Sequence, residues 1–370
     1  MKKIGLITYH SAYNYGAALQ AFAAQAAING MGQACTIINY QPSARKNSYD
    51  MGYQIRETFK KGNPKLALKM FFGNFFMQKR KRAFDKFNEE YVQWTEQEFQ
   101  NETELKQIEN QYDLFVAGSD QIWKSGDPVY LLSFVRDKQK AVSYSSSFGM
   151  TVIPDENRSV YYDNLVNMKC LSSREDTGVK IIKELTGRDA ALVLDPVFLL
   201  SKEQWEKIMV RSKKKPGKLN LFVYTSEAGM FKKFLDKVKW KPEKYHAALI
   251  SRHINPKDFI SSNTTVAYSI SPAEFLGFVA ESDLIVTASF HCAAFCIILQ
   301  KQFVVLLKED DGLNSRLTNL LKLVNLEDRI LTESSTRDEI LAPIDFTDVQ
   351  KRLDEHIFES KKYLEGCFLD

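Results

Sequence analysis

No window of the 370-residue chain approaches the roughly 20 consecutive apolar side chains that a membrane-spanning helix needs. A secretory signal is also lacking: Met1, Lys2 and Lys3 run into a strand-length Ile4–Ile7, and Tyr9 to Tyr15 is polar. Cysteine is scarce. The five (Cys35, Cys170, Cys292, Cys296, Cys367) are odd in number and dispersed, which argues against a disulfide framework and for a reduced, cytoplasmic protein. Charge of one sign is missing too, since 50 basic and 46 acidic residues leave only +4. That balance, with basic clusters confined to Lys79–Arg82 and Lys213–Lys215, argues against nucleic acid as a partner. There is no GxGxxG segment, so no dinucleotide cofactor is indicated, and no internal repeat or low-complexity stretch.

What is present is an ordinary globular composition, 44% hydrophobic and 26% charged, in a chain long enough for two domains. Short apolar runs alternate with polar turns and helical patterns, the signature of parallel sheets with crossover helices. Ile4–Thr8, Thr36–Asn39, Leu114–Ala117, Ala141–Ser145 and Ala191–Leu194 read as strands, and Gly16 to Asn29 as a helix. Asn63 to Phe99 reads as a long, charged helical stretch inserted between them. Asp195-Pro196 ends one strand, because proline lacks the ladder donor. The pattern restarts with Leu219–Tyr224, Ala247–Ser251, Thr265–Tyr268, Leu284–Thr287 and Phe303–Leu307. The expected organisation is therefore an N-terminal domain over 1–200 with a helical insertion at about 54–110, a second domain over 201–335, and a helical tail over 336–370 that crosses back onto the first. The Lys213–Gly217 segment reads as a solvated loop of the second domain.

In open parallel sheets, ligands bind beyond the carboxyl ends of strands, where free N–H groups at helix starts favour anions. The first such turn, Tyr9 to Gly16, is rich in polar and aromatic groups. His10 and Asn14 either face a ligand or serve a plain strand–helix connection, with Gly16 allowing close approach to the backbone. In the second, Gly118 to Trp123, Ser119 and Asp120 either cap a helix or bind sugar hydroxyls, and Trp123 is either core or an apolar face for a sugar ring. In the third, Ser172 to Asp176 after an expected strand Met168–Leu171, Arg174 either grips a carboxylate or phosphate or pairs with Glu175 or Asp176.

The fourth turn carries the most. Leu284–Thr287 is a β-branched apolar strand, Ala288 to His291 its exit, and Cys292 to Gln300 an apolar helix. This places His291 at the edge of the sheet beside a helix start, a good position for a general acid–base. Cys292 and Cys296, spaced i and i+4 beside it, invite a metal reading. Zinc needs three or four ligands and no companion cluster appears, so two buried thiols packing the helix are the better account.

Together these turns resemble the polysaccharide pyruvyl transferase family. The matching segments are Ile7 to Gln20, Asp113 to Trp123, Ser172 to Pro196, Ile270 to Leu299 and Asn314 to Ile330, in order across most of the chain. The resemblance implies an α/β fold of two Rossmann-like domains facing a cleft, GT-B-like, with the first domain on the acceptor side. It also implies transfer of pyruvate from phosphoenolpyruvate to two hydroxyls of a sugar, forming a ketal during bacterial surface (exo)polysaccharide biosynthesis. The acceptor is free, nucleotide-linked, lipid-linked or polymeric. By motif, His291 is the family's strand-end histidine and catalytic, and Arg174 matches its SxRE arginine. Arg174, Arg316 and the helix starts would then meet the donor's charges. Ser289, His10, Asn14, Gly16, Ser119 and Asp120 complete the implied substrate-binding set, with no metal and no cofactor beyond the donor. The exit of the strand departs from the commoner Thr-Asp-Ser-Phe-His-Gly at Ala288 and Cys292, and Ser289 stands where some members have arginine.

Two rival functions remain at this level: a GT-B glycosyltransferase using a nucleotide sugar, and a degenerate, non-catalytic saccharide-binding protein, the latter motivated by Ala288 and Ser289. A last feature concerns location. Met70-Phe71-Phe72 and Phe75-Phe76-Met77 precede Lys79-Arg80-Lys81-Arg82 on a helical stretch, which reads either as an apolar face packed on its own domain or as a dock for the anionic inner face of a membrane.

Overall fold

The computed structural model describes all residues except 44–45, 47–50, 212–218, 226–227, 240–244, 250–263, 268, 309–313 and 370. The expected Lys213–Gly217 loop thus lies outside the described residues. The chain divides into two compact units, the first comprising residues 1–72, 86–200 and 355–370, the second 73–85 and 201–354. Among the described residues no helix is long and apolar enough to cross a membrane.

In the first unit, β1 (Lys3–Ile7), β2 (Ala34–Ile37), β3 (Leu114–Ala117) and β4 (Ala141–Ser143) form a wholly parallel sheet in the order β2-β1-β3-β4. Parallel strands covered on both faces need continuous apolar runs; Ile4, Leu6, Ile7, Phe115, Val116 and Ala117 are all fully buried. β5 (Ser172–Ser173) pairs in parallel with β6 (Ala191–Leu192), and isolated bridges from Val142 to Cys170 and from Ser146 to Ser173 join this pair to β4. The strand expected over Met168–Leu171 thus lies further along, directly before Arg174. Serine is tolerated in so buried a strand because Ser143 and Ser172 satisfy each other: each hydroxyl donates to the other's carbonyl, at 3.2 and 2.8 Å.

Helix α1 (Tyr15–Gly30) is alanine-rich, which favours helix and lets it lie close to the sheet. The insertion contains α2 (Met51–Lys60), α3 (Pro64–Tyr91) and the short α4 (Glu102–Leu105). The helical reading fails from Val92 to Phe99: that segment has left the helix and bends at residues 96–97, with Trp94 bridging Ile37 and Phe99 bridging Tyr40 beside β2. Val92 and Phe99 are buried there, so the unpaired edge of the sheet is covered. Helices α5 (Arg158–Leu165) and α6 (Asp176–Thr186) complete this part of the unit.

The second unit begins with α7 (Lys202–Ile208), closed by a Ser201–Gln204 capping box. β7 (Leu219–Tyr224), β8 (Tyr245–Leu249), β9 (Thr264–Val266), β10 (Leu284–Thr287) and β11 (Phe303–Val305) form a parallel sheet in the order β11-β10-β7-β8-β9. Counted within the unit this is 3-2-1-4-5, the order of a Rossmann sheet. Helices α8 (Ala228–Lys237), α9 (Pro272–Glu281), α10 (Phe290–Ile298) and α11 (Ser315–Leu323) accompany it.

Gly277, in the middle of α9, has a physical reason to be glycine. A Cβ there would lie inside contact distance of the Val210 carbonyl, and 3.1 Å from the Cα of Arg211. Val210 N also donates to Ala273 O of the same helix at 3.1 Å, so backbone meets backbone. Gly277→Ala should therefore cost about 1–3 kcal/mol through overpacking, despite alanine's better helix propensity. Urea titration checks this: the midpoint should fall with an unchanged slope, and a raised midpoint would refute the packing argument.

The tail is two helices, α12 (Arg337–Leu341) and α13 (Phe346–Cys367), separated by a break at Ala342-Pro343. From Glu355 onward α13 is part of the first unit. Ser360 Oγ accepts from Leu194 N at 2.9 Å, and Tyr363 Oη donates to Ser143 O at 2.9 Å. Leu364, Cys367 and Phe368 are buried. Cys367 also hydrogen-bonds Cys170, and that contact, aided by Lys169 and Arg188 against the cost of burial, lowers the Cys170 thiol to about 7.

Candidate functional site

Ligand crevices of open parallel sheets open where the strand order reverses. In the first unit that point lies between β1 and β3, whose exits are Thr8 to Asn14 and Gly118 to Asp120. The two exits are bolted together: Thr8 Oγ1 donates to Ser119 O at 3.0 Å, and Gln20 Nε2 from α1 donates to Thr8 Oγ1 at 2.9 Å. His10 is buried, with Nδ1 3.1 Å from Thr8 O and Nε2 3.1 Å from Asn39 Oδ1, and its ring meets Trp94 edge-on at 5.7 Å. Asn14 is the N-cap of α1, its Oδ1 accepting from Gly16 N at 2.9 Å and Ala17 N at 3.3 Å. Gly16 is buried in the first turn. Both polar residues thus have hydrogen-bonding roles within the protein itself.

The second and third turns meet in one buried cluster. Arg174 Nη1 donates to Asp195 Oδ2 at 2.5 Å and to Ser119 Oγ at 3.3 Å, while Nη2 lies 3.4 Å from Asp120 Oδ1. Ser119 Oγ donates to the same Asp195 oxygen at 2.8 Å, and lies 3.3 Å from Ser145 Oγ. The Arg174 and Asp195 side chains are 1% and 0% exposed; Asp120, at 18%, is the member of the cluster that reaches solvent. The Glu175 carboxylate, which accepts from Ser147 Oγ at 2.7 Å, adds its charge to those of Asp195 and Asp120 in holding Arg174 protonated. An anion-gripping arginine was one of the two readings open from sequence. Here the guanidinium is hydrogen-bonded to Asp195, Ser119 and Asp120.

Asp120 has a left-handed backbone, φ +73°, and Ser119 and Asp120 cap no helix, since turns follow them. The apolar-face reading of Trp123 is also corrected: the indole is fully buried in the core, its Nε1 donating to Tyr130 O at 2.9 Å. Asp195 is the residue that sequence reasoning missed. It was read as the end of a strand before Pro196, yet besides binding Arg174 its Oδ1 accepts from Val197 N at 3.2 Å. The signal that existed was an acid at a strand end in the same sheet as Arg174.

In the second unit the reversal lies between β7 and β10, and the exit of β10 is the turn carrying His291. Thr287 Oγ1 donates to Tyr224 O at 2.8 Å, tying the two strand ends together, and accepts from Ser289 N at 3.0 Å. Ser289 is the N-cap of α10, its Oγ accepting from Cys292 N at 3.4 Å. His291 therefore occupies the first turn of α10, 8% exposed, with its ring edge-on to Phe290 at 5.1 Å. Cys292 and Cys296 are fully buried along the same helix, and burial pushes the Cys296 thiol up. Among the described residues there is no group of three His, Cys, Asp or Glu side chains placed to hold a metal.

Arg316 lies in the first turn of α11, which packs against α10. Asn314, the residue before that helix, holds the backbone of Lys308: its Oδ1 accepts from Lys308 N at 2.9 Å and its Nδ2 donates to Lys308 O at 2.8 Å. Because all strands are parallel, the starts of α10 and α11 lie at the carboxyl-end edge of one sheet. A helix start there has free N–H groups and the positive end of the dipole, which suits an anion.

Solved structures share this architecture. The N-terminal domain of Candida albicans trehalose-6-phosphate phosphatase aligns with TM-score 0.55 at 10% identity, over 98% of this chain and 95% of that one. A UDP co-structure of S. aureus MnaA aligns at 0.52 and 10%, over 98% and 91%. A putative UDP-N-acetylglucosamine 2-epimerase from Listeria monocytogenes aligns at 0.50 and 11%, over 98% and 90%. At such identities the likeness is one of fold, and the fold is α/β and GT-B-like, with two Rossmann-like domains. No curated protein sequence matches this chain. The profile of one family does, over residues 14–307, a span that runs from the N-cap of α1 to just past β11, and the chain belongs to that family, the polysaccharide pyruvyl transferases.

Proposed function

We propose that this chain transfers pyruvate from phosphoenolpyruvate to two hydroxyls of a sugar, forming a ketal in the synthesis of a bacterial surface polysaccharide. The observation that carries the reading is His291, set in the first turn of α10 at the strand-order reversal of the second sheet, in a chain of this family. Protonation of the donor's methylene carbon leaves an oxocarbenium-like centre. One sugar hydroxyl attacks it and gives up its proton, the C–O bond to phosphate breaks so that phosphate departs, and the second hydroxyl attacks the renewed cation, losing its own proton and closing the ketal. His291 serves as the acid or as the base for the hydroxyl. Arg316 and the starts of α10 and α11 supply the charge for the donor's carboxylate and phosphate. Arg174, committed to Asp195 and Asp120, acts as a positioning residue that holds Asp120 and Ser119 at the edge of the first sheet.

A phosphate-release assay tests this. Phosphoenolpyruvate with a panel of galactose- and mannosamine-containing acceptors should release phosphate only when an acceptor is present. Phosphoenolpyruvate, rather than nucleotide sugars, should also raise the melting temperature, since a ligand bound only to the folded state stabilises it. Stabilisation by a nucleotide sugar with no phosphate release would favour a glycosyltransferase. Saccharide binding with neither would favour a non-catalytic sugar-binding protein.

A further inference from the structure

The α2–α3 segment has a composition that the sugar chemistry does not use. From Lys60 to Arg82 the chain carries eight Lys or Arg residues and no Asp or Glu. Within the same region large apolar side chains stand in water: Phe59 is 65% exposed, Leu66 45%, Leu68 58% and Phe71 59%. The alternative of an apolar face packed on its own domain does not describe these four. Of the stripe itself, the side chains of Phe72, Phe75 and Phe76 lie outside the described residues, and Met70 and Met77 are half-buried.

Helical geometry sorts these residues. At about 100° per residue, Lys65, Leu68, Phe71, Lys79 and Arg82 of α3 fall within about 120° of one another. Lys65, Lys79 and Arg82 are exposed like the apolar pair between them, whereas Arg80, Phe84 and Phe87 are buried on a different side. One face of a 28-residue helix thus interleaves cations with exposed apolar groups. A second copy of this chain is a poor occupant, because two such faces would set like charges against each other. An anionic, partly apolar surface is a good one.

We propose that this face docks the protein on anionic phospholipid, with Leu68 and Phe71 entering the headgroup–acyl boundary and Lys65, Lys79 and Arg82 meeting lipid phosphates. No step of this depends on pyruvyl transfer, so its failure and that of the proposed reaction are separate outcomes.

Co-sedimentation of the full chain with vesicles of phosphatidylcholine, with and without phosphatidylglycerol, tests it. Wild type should pellet with the phosphatidylglycerol vesicles, weakly with phosphatidylcholine alone, and less as salt shortens the screening length. Each basic residue near such a surface is worth about fivefold in binding, so Lys79→Glu/Arg82→Glu should lose about twentyfold or more. Leu68→Ser/Phe71→Ser should also lose binding, while Lys351→Glu/Lys362→Glu on α13 should not. Circular dichroism melts confirm that each variant is folded. Equal binding to both vesicle types, no pelleting, or variants that bind like wild type would overturn the proposal. So would polyglutamate binding as tightly as vesicles and surviving Leu68→Ser/Phe71→Ser, which would give the face to an acidic polymer instead.

Discussion

Replacing His291 by alanine is expected to reduce acceptor-dependent phosphate release by about 10²–10⁴-fold while leaving the fold intact. The loss follows from removing the one imidazole that the exit of β10 presents, and with it the proton transfer to or from the reacting groups. The fold should survive because other groups hold that turn. Ser289 caps α10, Thr287 ties β10 to β7, and alanine suits a first helical turn. The check pairs the phosphate assay with a melting curve: near-wild-type stability with lost turnover is the expected pair. His291→Gln, which keeps volume and a hydrogen-bonding edge, should be nearly as inactive. Near-normal turnover in either variant would remove His291 from the mechanism.

The largest expected effect on stability lies in the first unit. Truncating Asp195 to alanine takes the nearest carboxylate from the buried Arg174 guanidinium and leaves it the more distant charges of Asp120 and Glu175. Breaking one side of so buried a pair costs about 3–5 kcal/mol, because the remaining charge has lost its partner away from water. For a unit of this size that is a fall in melting temperature of roughly 6–20 °C. Arg174→Ala should do similar damage by stranding Asp195, which is fully buried. The double variant Arg174→Met/Asp195→Leu should recover most of the loss, since two apolar side chains of similar volume need no solvation. Losses that simply add across the double-mutant cycle would show that the two side chains do not act as a pair.

Strands buried on both faces are plain in the sequence. Leu114–Ala117, Leu219–Tyr224 and Leu284–Thr287 have the same bounds in the structure as in the reading from apolar runs. β5 is harder because it is two serines, and the hydroxyl–carbonyl bonds between Ser172 and Ser143 that suit it to the core are expressed by no hydropathy pattern. The segment from Val92 to Phe99 was hidden for the opposite reason: charged residues around Trp94 and Phe99 continue the composition of α3 after the helix has ended. The position of His291 was legible, because a β-branched strand, a polar exit and an apolar helix leave few alternatives. What made it a crevice was not legible, since the order β11-β10-β7-β8-β9 depends on which way each crossover returns. The same holds for Arg174. Its neighbours in sequence, Glu175 and Asp176, were the visible acids, but a side chain at a strand end meets the adjacent strand ends, and Asp195 is 21 residues on.

The return of α13 sets an order on the birth of this protein. The sheet of the first unit is made from residues 3–192, yet the unit is finished by Ser360, Tyr363 and Cys367, which follow the whole of the second unit. At roughly 5–20 residues per second, on the order of ten to thirty seconds of synthesis separate Leu200 from Glu355. For that interval the carbonyl of Ser143, the amide of Leu194 and the groove that takes Leu364 and Phe368 are without their final covering. The N-terminal half, though first out of the ribosome, is the half that closes last.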